Sequence, residues 1–591
     1  MVFLQHNQKL TGLLWVLYWT QCVIPRRYSQ IKRHTGESVA LHMDLQDALA
    51  RFARILMGSR SPTTVRLYVD VVRRWLAYGG AADRLSVNQP ASPYCAATAS
   101  CYTAVNGDGI PPRTAEYSAD DAYEFPDREV VGFFYACRLR LSGFDSLKLG
   151  DPMKRLTVPE QVAMVPFLGR WLALSAITGG LIGCASALFL WSLEWATQQQ
   201  TTHDFMLALL PVAGLMVGWV YHRVGKDVEG GNNLLIDEIH DPKKLVPKRM
   251  AILVFAGTVI THLFGGSAGR EGTAVQMGGT IADQISHRFG LNKEDRRILM
   301  MAGISAGFAS VFGTPVAGAI FGLEVLAIGK VRYDALLPCM LSAAIADQVT
   351  LHLGIHHAVY AVPVIPHVSW QGVLSTIVAG ICFGIVGMLF ANVTHALSAL
   401  FKRTIKYPPL RLFLGGSIVA VAAYAIGCRQ YLGLGIPTIQ AAFLHPLPAY
   451  DFGGKFAFTT VTLASGFKGG EVTPLFYIGA TLGNALGYVL PLPFPLLAGL
   501  GFVAVFAGAA NTPIASTIMA VELFGSEIGT YAGIACVVAY LFSGHTSIYR
   551  AQRVGHAKHV QWPEGIRLAD IPALRRTQVP SSTSKTPKYP S

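Results

Sequence analysis

One unit of sequence occurs twice in this chain, and that duplication constrains the fold more than any other feature. The stretch AGISAGFASVFGTPVAGAIFGLEVLAIG (302–329) returns as VAVFAGAANTPIASTIMAVELFG (503–525), with Thr314-Pro315 on Thr512-Pro513 and Glu324 on Glu522, an offset of 198. Upstream, GGSAGREGTAVQMGG (265–279) aligns with SGFKGGEVTPLFYIG (465–479) at an offset of 200, placing Glu271 on Glu471 and Thr273 on Thr473. Duplicated units of this kind in a membrane set a binding site at the interface between the copies, near the midplane, where interrupted helices point their N-termini at the substrate.

The surroundings of the repeats are apolar enough for lipid. Of 591 residues, 52% are hydrophobic and 14% charged, and mean hydropathy is +0.40, well below the charge content of an ordinary soluble domain. A hydrocarbon core about 30 Å thick takes roughly 20 apolar residues per helix. Apolar segments run at about 170–196, 204–221, 250–264, 298–328, 334–353, 371–401, 411–427, 453–466, 472–510 and 513–542, many broken by Gly or Pro. The sequence therefore predicts an all-α integral membrane protein with many tilted and discontinuous helices. Its transport domain is expected at 166–555, with repeats at about 167–330 and 367–550. The net charge of +13 lies mostly in short loops (Lys243, Lys244, Lys248, Arg249; Lys402, Arg403, Lys406, Arg411) and after the last span, the distribution that faces a cytoplasm. No nucleic-acid partner is needed to explain it. The loop HDPKKLVPKR suits either anionic lipid or simple solvation.

Two further regions are set apart by composition. Residues 1–165 form an N-terminal extension to which no function is assigned; an apolar patch at 11–24 precedes Arg26 and Arg27, the reverse of a signal peptide's order. A short basic tail, 556–591, is expected in the cytoplasm and is too short for paired regulatory domains. Nine cysteines show no disulfide or metal spacing. His352 and His356 stand one turn apart without an evident third ligand, so neither metal nor cofactor is expected. No HExxH, nucleophile elbow or phosphate loop supports an enzyme.

Gly-rich breaks precede helix starts at Gly230-Gly231-Asn232-Asn233, Gly269-Arg270-Glu271-Gly272 and Gly469-Gly470-Glu471-Val472. A helix start carries about half a positive charge and free N–H groups, so three of them converging in a dry place hold a bare anion. The other use of such glycines is close helix packing. Glu271 and Glu471 sit in this frame at membrane depth, where a carboxylate costs about 3 kcal/mol on insertion scales. A deprotonated Glu beside an anion site competes with the anion for the same donors, and protonation releases it. The bland alternatives are pairing of Glu271 with Arg270 and of Glu471 with Lys468.

These residues carry a resemblance. Gly269-Arg270-Glu271-Gly272 is similar to the Gly-Lys/Arg-Glu-Gly-Pro segment of the CLC channels and exchangers, and Gly470-Glu471-Val472-Thr473-Pro474 to their Gly-x-Phe-x-Pro segment. The match spans about 167–555. It implies an inverted-repeat fold, a homodimer with one pore per subunit, Glu271 as the proton-coupled outer gate, and Tyr549 of SGHTSIYR as the tyrosine of the inner side. GNNLLIDEIH, GREGTAVQMGG and GFKGGEVTPLF resemble the bacterial fluoride-exporting branch, which implies roles in fluoride handling for Glu471 and Thr473. The anion set is then Asn232, Asn233, Gly269, Arg270, Gly272, Thr273, Gly470, Val472 and Thr473. Asn232 also suits a helix N-cap. Where exchangers of the family carry a second, internal Glu, this chain has Val325, and Glu324 and Glu522 are taken as helix-end residues.

The expected function is exchange of fluoride for protons across a cell's inner (plasma) membrane by a multi-pass protein with a cytoplasmic C-terminus. A chloride/proton exchanger or a passive chloride channel of the same family is the alternative.

Overall fold

The computed structural model describes residues 164–559 and 562–578; the expected N-terminal extension, up to residue 163, and the end of the tail lie outside the described residues. Sixteen helices make up the two repeats among these residues. The first repeat contains α1 (Val165–Thr202), α2 (Leu210–Val224), α3 (Asn232–His240), α4 (Arg249–Leu263), α5 (Glu271–Arg288), α6 (Lys293–Phe312), α7 (Pro315–Glu324) and α8 (Leu336–His352). The second contains α9 (Trp370–Thr404), α10 (Pro408–Ile426), α11 (Ile436–Leu444), α12 (Asp451–Ser465), α13 (Val472–Leu486), α14 (Phe494–Ala510), α15 (Pro513–Phe524) and α16 (Gly529–Phe542).

Lengths divide the helices by role. Five are long and apolar enough to cross a membrane. Of these α1 and α9, at 38 and 35 residues, are about 50–57 Å long at 1.5 Å per residue, so they must tilt strongly in a 30 Å core. By contrast α3 and α11 have nine residues each and α7 has ten, too few to span. Large apolar side chains such as Trp191, Met216, Ile252 and Val421 point outward, as lipid-facing positions do.

The apolar run at 298–328 is two helices rather than one. Gly313 adopts the left-handed conformation (φ 72°) that stops α6, and Pro315 at the first turn starts α7. The same break recurs between α14 and α15, with Asn511 (φ 58°) in place of the glycine and Pro513 starting the next helix. Aromatic packing closes the two repeats on each other: Phe308 stacks on Phe321 at 4.3 Å and on Phe506 at 6.2 Å, and Phe312 meets Phe476 at 5.1 Å.

Glu324 and Glu522 have the structural role expected of them, but across the repeats rather than within them. The Glu522 carboxylate accepts the N–H groups of Val316 (2.9 Å) and Ala317 (2.8 Å) at the start of α7. In return Glu324 accepts those of Ile514 (3.0 Å) and Ala515 (2.8 Å) at the start of α15. Thr314 and Thr512, at the N-caps of α7 and α15, make no side-chain capping bond, and the partner repeat supplies it.

The stretch read as a tail also carries structure. Strand β1 (Ala327–Ile328) pairs in parallel with β2 (Arg553–Val554), and Ile328, Val554, Leu568 and Ile571 form a small buried cluster that leads to a last helix, α17 (Ile571–Gln578).

Removing a cap of two N–H groups costs about 1–2 kcal/mol. Glu324→Ala should therefore lower the thermal unfolding midpoint in detergent, Glu522→Ala should do so less because its site is more exposed, and a control at exposed Glu527 should leave it unchanged.

Candidate anion site

The site is organised by backbone. Gly269 and Gly470, one from each repeat's break, form an antiparallel bridge: each N–H donates to the other's carbonyl at 2.7 Å. The chain thus runs in opposite directions through the two breaks, which is the inverted relation expected of the repeats. A side chain at Gly470 would place its Cβ 2.7 Å from the Gly272 nitrogen, so glycine is required here for closeness. Two residues beyond this bridge in each repeat, α5 begins at Glu271 and α13 at Val472.

That register differs by one residue from the alignment of the sequences. Gly269 answers to Gly470 and the first residue of α5 to the first of α13, an offset of 201, so Glu271 is equivalent to Val472. Glu471 stands instead at the N-cap of α13, where Arg270 stands at that of α5. The two acids are therefore not related by the duplication, although both lie in the site.

Glu271 is fully buried. Its carboxylate accepts the Thr473 N–H at 3.1 Å, the Thr473 hydroxyl at 2.5 Å from either oxygen, and the Arg270 N–H at 3.2 Å. The Arg270 guanidinium also donates, at 3.4 Å. Hydrogen bonds to a charged group contribute about 1.5–3 kcal/mol each, so three of them outweigh the roughly 3 kcal/mol that seats a carboxylate in a membrane. The pairing with Arg270 exists, but it is the longest of these contacts; the start of the other repeat's helix holds the acid.

Around Gly272 the remaining groups converge. Where its Cβ would stand, Gly470 Cα lies at 3.0 Å, Asn232 Nδ2 at 3.2 Å and Glu471 Oε2 at 3.8 Å. Asn232 is the first residue of α3 and makes no capping bond; the N-cap is Gly231, held at φ 56°. Asn232 Oδ1 is buried without a hydrogen-bond partner among the described residues. Below it lies a cavity of about 10 Å³, room for one small ion or water, whose lining includes Asn232 and Tyr549 with Leu235, Ile236, Phe321 and Val325. Tyr549 is buried and within electrostatic reach of both Glu271 and Glu471. The first N–H groups of α3, α5 and α13 have no partner inside their helices, and those of Asn232, Gly272 and Val472 donate to no other backbone carbonyl among the described residues.

Other expected residues are turned elsewhere. Asn233 accepts the Ala551 N–H on its Oδ1 at 2.9 Å, so it holds the segment that carries Tyr549. The Thr273 hydroxyl pairs with that of Thr258 on α4 at 2.7 Å. Lys468 does not pair with Glu471; its ammonium lies 4.0 Å over the ring of Tyr221. His352 bonds the Gln348 carbonyl through Nδ1 at 2.7 Å. Two residues that sequence reasoning passed over are Gln276, whose carboxamide abuts Gly231, and the buried Gln552. For Gln276 the available signal was a polar side chain inside the quoted segment GREGTAVQMGG; Gln552 stands two residues past SGHTSIYR, outside every quoted motif.

Comparison with known proteins places relatives beside this chain. The profile of the voltage gated chloride channel family matches residues 213–544. The chain is 58% identical over 430 residues to a chloride/fluoride channel protein of Pseudomonas syringae pv. tomato, covering 72% of this chain and 95% of that one. It is 28% identical over 414 residues to a putative chloride channel protein ClcB-like of Ralstonia nicotianae, covering 63% and 94%. Among solved structures it resembles a CLC-type fluoride/proton antiporter with a TM-score of 0.64 and 35% identity, covering 66% of this chain and 98% of that one. A slow cyanobacterial Cl⁻/H⁺ antiporter shares the fold at a TM-score of 0.57 and 20% identity, covering 63% and 94%.

Gly470→Ala forces its methyl group against the Gly272 backbone. Overpacking of this kind costs about 1–3 kcal/mol, and because it pries apart the two helix starts, anion flux in liposomes should fall by more than the lowered melting temperature accounts for.

Proposed function

Because the chain belongs to the CLC family of voltage gated chloride channels, we propose that it exchanges fluoride for protons and so exports fluoride. The observation that carries this reading is the seat of Glu271: its carboxylate takes the N–H and hydroxyl of Thr473 at the start of the opposite repeat's helix. Those are the donors an anion in the site would use.

A single seat with two possible occupants makes an exchanger. Deprotonated, Glu271 fills it and blocks the path. Protonated, the acid loses its charge, its bonds to Thr473 weaken, and an anion takes its place at the helix starts. The order of events then ties each anion step to a proton step. Asn232, Gly272, Gly470 and Val472 offer N–H groups or close backbone, Thr273 backs the start of α5, and Asn233 steadies the inner wall. Arg270, partly exposed beside the gate, draws anions to the outer mouth.

Fluoride is the halide these donors suit. It is small, strongly hydrated and a strong hydrogen-bond acceptor, so it needs protein donors to replace its water. The Thr473 hydroxyl becomes available when Glu271 leaves, the Asn232 amide lies beside Gly272, and Glu471, when protonated, adds a donor. Tyr549 narrows the inner end.

The same reading places the protein as a multi-pass chain in the cell's inner membrane. The basic loops at 243–249 and 402–411 and the C-terminus then lie in the cytoplasm. The outward apolar residues Val316, Leu337, Ile514, Val537 and Leu541 lie on α7, α8, α15 and α16, next to the reciprocal caps. They suit a second copy of the chain, one pore in each.

Purified protein in fluoride-loaded liposomes tests this directly. Fluoride efflux should be accompanied by proton uptake and should exceed chloride efflux. With Glu271→Gln, proton uptake should fall by about tenfold or more, since an amide has no proton to exchange. Chloride moving as readily as fluoride would make the protein a chloride transporter, and fluoride efflux without protons in the unaltered chain would make it a channel.

A further inference from the structure

Gln552 is wholly buried, yet its carboxamide is met on both sides. Its Nε2 donates to the carbonyls of Val325 (2.9 Å) and Ala510 (3.1 Å), and its Oε1 accepts from Asn511 Nδ2 at 2.9 Å. Val325 closes α7 in the first repeat, while Ala510 and Asn511 close α14 in the second. The backbone N–H of Gln552 donates to the Tyr549 carbonyl at 3.2 Å. One residue therefore ties a helix end from each repeat, through its carboxamide, to the turn that carries Tyr549, through its backbone N–H.

Nearby bonds make that turn stiff. Ile548 donates to the Ala509 carbonyl at 2.9 Å, and Tyr549 N–H donates to Ser547 Oγ at 3.0 Å. Ala551 donates to Asn233 on α3 at 2.9 Å. Val325, Tyr549 and Asn232 line the same small cavity, so a shift of Gln552 moves one wall of it against the others. Pure helix capping would satisfy the carbonyls of Val325 and Ala510, but it would not require the same residue to hold the tyrosine turn.

We propose that Gln552 is a positioning residue for the inner end of the ion path: by binding the ends of α7 and α14 to the Tyr549 turn, it sets the constriction that stops fluoride leaking without a proton. The proposal rests on the reading that anions pass the cavity between Asn232 and Tyr549. Its signature is loss of coupling rather than loss of transport.

The test uses the full chain in liposomes, recording fluoride efflux and proton uptake together. Gln552→Glu keeps the shape but deletes both donated bonds, and Gln552→Met deletes all three side-chain bonds. Each should raise proton-independent fluoride leak by about tenfold, the mid-range effect of breaking a contact between coupled groups. In a Tyr549→Ala background the same substitutions should add nothing to the leak, because the residue acts through Tyr549. An unchanged leak, or an increase that multiplies with that of Tyr549→Ala, overturns the proposal while exchange by the unaltered chain still stands. An unaltered chain that moves fluoride without protons removes the exchange reading and this inference with it. Should the Gln552 variants not remain monodisperse, Asn511→Gly keeps the left-handed backbone and removes the donor to Oε1; it should raise the leak in the same direction, and no change would count against the proposal.

Discussion

Everything in the site depends on two glycines that touch. The Gly269–Gly470 bridge, 2.7 Å in each direction, satisfies polar backbone in the middle of the protein at a point where both segments have left their helices. Unpaired N–H and C=O groups there would each cost several kcal/mol in a dry environment. Pairing them with each other removes that penalty and brings the starts of α5 and α13 face to face. Neither helix start alone is an unusual feature; their opposition is what makes a seat for negative charge, and the opposition follows from the bridge.

The reciprocal caps repeat the same solution away from the seat. Glu324 and Glu522 each leave their own repeat to serve the other's helix, so neither α7 nor α15 is complete alone. In lipid there is no water to take over a missing cap, and this makes the association of the repeats a matter of backbone hydrogen bonding as well as of the phenylalanine packing. A rigid frame of this kind allows the moving part to be as small as one side chain.

Much of this was legible in the chain because it is encoded locally. Thr-Pro at 314–315 and 512–513 marks two helix starts, the glycine pairs at 230–231 and 469–470 mark breaks, and a carboxylate amid apolar residues marks a site. What was not legible depends on register between distant segments. A one-residue difference separates aligning Glu271 with Glu471 from the observed equivalence with Val472, and sequence similarity favoured matching acid with acid. The ties made by Asn233 and Gln552 were out of reach for the same reason: their partners, Ala551 and Val325, are 318 and 227 residues away. The duplication itself hides such ties, since Ala551 and Gln552 lie past the expected end of the second repeat.

The chemistry of the proposed exchange narrows finally to one hydroxyl. Thr473 has a single proton to donate from its side chain, and it lies 2.5 Å from either oxygen of Glu271. While the carboxylate holds that proton and the neighbouring N–H, an anion at the start of α13 finds its strongest donors taken and faces a second negative charge in a medium that screens little. Removing the charge from Glu271 reverses both conditions at once. Mutual exclusion therefore needs no long-range signal between sites; it follows from one set of donors too small for two anions, placed where water is absent. Under the proposed exchange, Val325, an apolar residue at the end of α7, fits this economy: the coupling resides at the seat, and the inner end has only to remain narrow.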